Sequence, residues 1–210
     1  MAVDPLKTAE RHLARADPIL AGLIRKHRPC TLTATRRDPF HVMCSSIIGQ
    51  QLSVKAADTI QARVMTHVGT KKKLEPKHIL ETPHEDLRAC GLSNAKANWL
   101  RSISTQVHSG DFSFRRLQRM NDADAIEALD ALPGVGLWTA EMYLIFALHR
   151  LDIFSMGDVG LRRSVDWLYN KGRKLSDAKT LQITARWAPY RSVASWYLWR
   201  MVDGDVGTWT

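Results

Sequence analysis

The chain is poor in cysteine: it has three, and none sits in a C-x-x-C pair. Cys30, Cys44 and Cys90 are widely separated, which argues against a zinc site or a cysteine-ligated iron–sulfur cluster and fits a reducing compartment. Long apolar runs are missing too, since none reaches the ~18 residues of a membrane span. The opening segment, MAVDPLKTAERHLARADPIL, lacks the apolar core of a secretion signal. The expectation is an intracellular protein of the cytoplasm, nucleoid or nucleus, with no membrane partner. No period-two alternation lasts long enough to suggest a sheet. Acidic residues are the minority: 21 Asp and Glu stand against 30 Lys and Arg, for a formal net charge of +9.

The basic residues come in short groups: Arg25, Lys26 and Arg28; Arg36 and Arg37; Lys71 to Lys73; Arg115 and Arg116; Arg162 and Arg163. Such groups suit a polyanion, because phosphate contacts release condensed counterions. Charge alone fits a merely soluble basic surface equally well. At 210 residues the chain can form one compact domain or two lobes sharing a core.

Helical spacing dominates. From Phe40, the residues Cys44, Ile48, Leu52, Ala56, Ile60 and Val64 recur every four positions along one face. Gly49 followed by Ser53, a good N-cap, suggests a break that leaves Gln50, Gln51 and Leu52 at a corner; the stripe also allows one continuous helix. HILETPHEDLRACGL reads as a helix, a turn at Pro83 and a short helix ended by Gly91. NAKANWLRSISTQVHSG is amphipathic, and Gly110 ends it. DADAIEALDAL carries acids in its first turn, where the helix dipole favours them. DVGLRRSVDWLYN starts at an Asp158 cap, and SDAKTLQITARW at a Ser176 cap. The fold class is all-α.

One segment, ALPGVGLWTAEMYLIF at 131–146, breaks this pattern with Pro133, Gly134 and Gly136. Pro133 stops one helix, and the glycines permit positive φ and leave backbone N–H groups unshielded at the start of the next. Those groups can bind a phosphate with help from the helix dipole. A lone G-x-G reads first as an ordinary tight turn between helices.

The surrounding residues add a resemblance. LPGVGLWTA resembles the hairpin of the helix-hairpin-helix DNA glycosylase superfamily, and DIFSMGDVGLRR puts an aspartate at the distance where that superfamily carries its catalytic one. With IIGQQLS, WTAEM and RWAPYRSVASWYLW, the region from about residue 40 to residue 200 is similar to the 3-methyladenine DNA glycosylase II family. The resemblance implies two helical lobes with an active-site cleft between them. Residues 39–150 would form the central lobe, with its hairpin at 132–137, and 1–38 plus 151–210 the second lobe.

It also implies a reaction. A damaged nucleotide of double-stranded DNA is flipped into a pocket, and its N-glycosidic bond is hydrolysed. Asp158 is then the carboxylate that stabilises an oxocarbenium-like sugar and orients or deprotonates water; its local reading as a helix N-cap is compatible with that. Asp152, just upstream, reads as structural. Trp138 and Trp199 match pocket aromatics, whose faces suit a cationic methylated purine. Met142 stands where a longer relative has a third aromatic, with Tyr143 beside it, and most of Trp167, Trp187, Trp196 and Trp209 read as core or rim. Gln51, with Leu52, occupies the corner that wedges into the vacated stack, and Gly134, Gly136 and Thr139 belong to the DNA-binding hairpin.

Bifunctional relatives carry a lysine where this chain has Trp138, so no Schiff base to the sugar can form and the implied enzyme leaves the strand uncut. No cofactor is implied beyond a monovalent cation that hairpin carbonyls can bind in this superfamily. The expected enzyme is a monomer that removes 3-methyladenine and 7-methylguanine in base excision repair. Two alternatives stay open: a non-catalytic helix-hairpin-helix DNA-binding protein, and a glycosylase for deaminated or etheno bases.

Overall fold

Aspartate followed by proline opens the first three helices of the computed structural model, which describes residues 4–32 and 38–205, with side chains through Val202. Arg36, Arg37 and Trp209 lie outside the described residues. Proline at the first helical position loses no hydrogen bond, because that N–H has no partner within a helix. The preceding carboxylate accepts from a first-turn amide instead. Asp4 takes Leu6 N at 3.0 Å to start α1 (Pro5–Ala16), Asp17 takes Ile19 N at 2.9 Å to start α2 (Pro18–His27), and Asp38 takes His41 N at 3.1 Å to start α3 (Pro39–Gly49). Thirteen helices and no strand occur among the described residues, so the all-α class holds.

The chain divides into two compact units: Arg36–Leu148, and Met1–Thr35 with His149–Thr210. The central unit contains α3, α4 (Val54–His67), α5 (Pro76–Glu81), α6 (His84–Ala89), α7 (Asn94–Ser109), α8 (Phe114–Leu117), α9 (Asp122–Asp130) and α10 (Leu137–Phe146). Its core joins Phe40, Met43, Ile47 and Ile48 of α3 to Ala97, Leu100 and Ile103 of α7 and Ala140, Leu144 and Ile145 of α10. The Ser53 cap does break the long apolar stripe, its hydroxyl accepting from Ala56 N at 3.3 Å. Leu52 therefore leaves the buried face that its four-residue spacing predicts and is 39% exposed at the corner.

In the unit split along the chain, α1 and α2 combine with α11 (Val159–Asn170), α12 (Asp177–Ala185) and α13 (Arg191–Asp205). Asp17 ties this unit together. Its Oδ1 caps α2, while its buried Oδ2 accepts from Tyr169 Oη at 2.7 Å and from the indole of fully buried Trp187 at 3.0 Å. Burying a carboxylate is costly unless donors such as these satisfy its oxygens. Asp152 is similarly structural: it holds the Arg191 guanidinium through two bonds of 2.8 and 2.9 Å and accepts from Arg191 N at the start of α13.

Candidate active site

Asp158 is fixed by its place in the chain. It forms the N-cap of α11, with Oδ1 accepting from Leu161 N at 2.8 Å. The indole Nε1 of Trp199, on α13, approaches the same oxygen at 3.4 Å. The carboxylate is 8% exposed, so its charge acts in a partly dehydrated setting where electrostatic interactions are stronger than in water. Gly160 permits this approach. A Cβ added there would lie 3.2 Å from Asp158 Oδ1 and 3.8 Å from Trp199 Cδ1. The resemblance assigns both Asp158 and Trp199 to the site, and the structure brings their side chains together; Gly160 carries no signal beyond its neighbours.

The hairpin of the central unit joins α9 to α10. α9 ends at Asp130, two residues before the expected stop, and the turn runs from Ala131 to Gly136. Gly134 has φ +77°, and a Cβ there would stand 2.3 Å from Cδ2 and Cε3 of Trp99. The indole thus lies directly on the turn, and glycine is required twice over. Gly136 is different from the expectation. Its φ is −99°, and a Cβ would meet nothing within 4 Å. It serves as an exposed N-cap that brings no side-chain hydrogen bond to the start of α10, which suits an anion at that helix end.

Trp138 is 48% exposed in the first turn of α10, beside the equally prominent Leu137, which sequence reasoning passed over. Thr139 is buried, with 7% of its surface exposed. Met142 is half-buried. Tyr143 corrects the sequence-based reading. It is 1% exposed, its hydroxyl donates to Pro39 O at 3.0 Å, and its ring packs 5.5 Å from Phe114. Burial pushes its phenol above the usual tyrosine range. A ring held in this way is core of the central unit and offers no face to a base. Adjacent helix positions point about 100° apart, which separates it from Met142.

The corner at 50–53 is built with some strain. Gln51 is exposed and has φ +57°, a left-handed conformation that L residues enter at a penalty of about 1–2 kcal/mol. Gln50 reaches from the end of α3 to donate Nε2 to Gly134 O at 2.8 Å. Lys96, on α7, donates to Ile48 O at 2.8 Å and Gln50 O at 2.7 Å, and partial burial draws its ammonium below the usual lysine range. These contacts span 46 to 84 residues of sequence and leave no local pattern.

No group of His, Cys, Asp and Glu able to hold a metal occurs among the described residues. At the hairpin, Leu132 O already accepts from Val135 N at 3.1 Å and Gly134 O from Gln50. Those donors brace the turn from within the protein. Parts of the basic surface are also neutralised internally: Arg162 pairs with Asp177 at 2.7 Å, and Lys73 with Asp38 and Glu75.

Two helices joined by a glycine turn, with an aspartate further along the chain that caps α11, make the pattern of a helix-hairpin-helix protein. The chain belongs to the HhH-GPD superfamily of base excision DNA repair proteins, whose profile matches residues 44–189. It is 31% identical over 198 residues to the alkylbase DNA glycosidase-like protein mag2 of Schizosaccharomyces pombe, covering 93% of each chain. DNA-3-methyladenine glycosylase 1 of the same yeast is 31% identical over 202 residues, covering 94% of this chain and 88% of the relative. Among solved structures, the DNA-3-methyladenine glycosidase of Bacillus halodurans superposes with a TM-score of 0.83 at 38% identity, covering 97% of this chain and 91% of that one. The S. pombe 3-methyladenine DNA glycosylase Mag1, in complex with abasic DNA, gives 0.80 at 29% identity over 96% of this chain and all of that one.

Proposed function

We propose that this chain is a monofunctional DNA glycosylase that hydrolyses the N-glycosidic bond of alkylated purines, 3-methyladenine and 7-methylguanine, in base excision repair. The observation that carries the reading is Asp158, a buried carboxylate held by a helix cap and approached by the Trp199 indole, within a chain of a base excision repair family. The names of the relatives point the same way.

The residues divide the work by their chemistry. As the bond to the base breaks, positive charge grows on the sugar, and a carboxylate already fixed and partly dehydrated stabilises it without reorganising. The same group orients the incoming water. A methylated purine leaves as a neutral base from a cationic one, so it needs no strong general acid. The exposed Trp138 face would hold that cationic base by stacking and cation–π attraction. Trp138 also occupies the position of the lysine in strand-cutting relatives, so no amine is present there to form a Schiff base. The turn at Gly134 and the uncapped α10 start would seat a backbone phosphate, and Gln51 with Leu52 would fill the gap left by the flipped base. A monomeric intracellular enzyme is the setting that fits these parts.

The test is a panel of duplexes, each with a single 3-methyladenine, 7-methylguanine, hypoxanthine or ethenoadenine. Free base is measured by chromatography and strand integrity on a denaturing gel. Release of the two methylated purines, with strands uncut until alkali is added, is the expected result. Preference for hypoxanthine or ethenoadenine overturns the substrate assignment; cutting without alkali overturns the monofunctional one.

A further inference from the structure

Two separate loops of the central unit are held by one face of one helix. Lys96 and Trp99 lie three residues apart on α7, hence on the same side. Lys96 supplies donors to the carbonyls of Ile48 and Gln50 at the end of α3, where helix N–H partners run out and a cation is favoured by the helix dipole. Trp99 lies against Gly134 so closely that a Cβ there would be 2.3 Å from its ring. Gln50 closes the triangle with its 2.8 Å bond to Gly134 O. The left-handed Gln51 is the next residue, exposed at the tip of the corner.

We propose that Lys96 and Trp99 are positioning residues that lock the Gln50–Leu52 corner to the Gly134 hairpin, so that phosphate anchoring and base flipping act as one rigid device. The proposal rests on the glycosylase reading. A wedge entering a base stack is pushed back by the stacking it displaces. A corner free to recoil would yield, whereas one bonded to the phosphate-seating turn passes that push to the strand it grips. Neither residue touches the reacting atoms in this account; they act through the corner and the turn.

The experiment uses two duplexes with the same 7-methylguanine, one opposite cytosine and one opposite an abasic site, where less pairing opposes flipping. Single-turnover release is measured for wild type, Lys96→Met and Lys96→Arg. Lys96→Met keeps the apolar stem and removes the charge and both bonds. It should slow release from the paired duplex by about tenfold or more while release opposite the abasic site changes little. Lys96→Arg, which retains donors and charge, should recover most of the paired rate. If Lys96→Met does not fold, Gln50→Leu removes only the bond to Gly134 and carries the same comparison. Equal slowing on both duplexes, or none on the paired one, overturns the brace while leaving the glycosylase intact. A wild-type chain that releases no methylated base from either duplex overturns the functional reading and the brace with it.

Discussion

Replacing Gly134 with alanine should be the most damaging single-methyl addition in the hairpin. Two effects add. An L residue at φ +77° is penalised by about 1–2 kcal/mol relative to glycine. The new Cβ would also stand 2.3 Å from two ring carbons of Trp99, against an ordinary contact of 3.4–4 Å, so the indole must retreat by about 1 Å. Overpacking of that kind costs about 1–3 kcal/mol, giving a total of about 2–5 kcal/mol. A double-mutant cycle separates the two contributions. In a Trp99→Ala background the methyl has room, and Gly134→Ala should then lose only the backbone share, about 1–2 kcal/mol. Denaturant unfolding of the four proteins reads all of these values. Equal losses in both backgrounds, or a loss below about 1 kcal/mol in the parent, would refute the packing argument.

Two further outcomes follow from the same geometry. Gly160→Ala should leave thermal stability unchanged or slightly higher, since alanine in a helix gains about 1 kcal/mol over glycine. It should nonetheless slow base release by about tenfold, because its Cβ, 3.2 Å from Asp158 Oδ1, displaces the carboxylate; a melting curve and a release assay on one preparation check both halves. Burial pushes the Cys30 thiol up to about 11 and raises those of Cys44 and Cys90. All three should therefore resist alkylation by iodoacetamide at pH 8, when the reactive thiolate is scarce, and react fully once the chain is denatured. For Cys30 the native rate should climb as pH approaches that raised value, and fast labelling of the native protein at pH 8 would contradict the burial.

Local signals were legible in the sequence and long-range ones were not. Asp158 could be read as a cap because the residues after it have helical spacing, and Ser53 marked the corner because hydroxyl caps act over three residues. α8 has four residues, too few for any period to register. Gly134 and Gly136 look alike in a G-x-G, yet only one is left-handed, and Trp99, 35 positions earlier, shows why that one must be glycine. Tyr143 sits next to Met142, which the resemblance assigns to the pocket, but faces Phe114 and Pro39, a matter of helix rotation that an apolar run on all sides conceals. Nothing in the sequence sets Lys96 apart from the other lysines of a basic chain; only folding brings it to the carbonyls of Ile48 and Gln50.

Asp158→Asn tests the central claim most directly, because asparagine caps a helix about as well as aspartate and changes little except the charge. Stability should stay within about 0.5 kcal/mol, and duplex binding should persist. Release of 3-methyladenine should fall by about a hundredfold or more, the scale set by removing a preorganised electrostatic partner of the transition state. Release at the wild-type rate by a folded, DNA-binding Asp158→Asn protein would contradict the account.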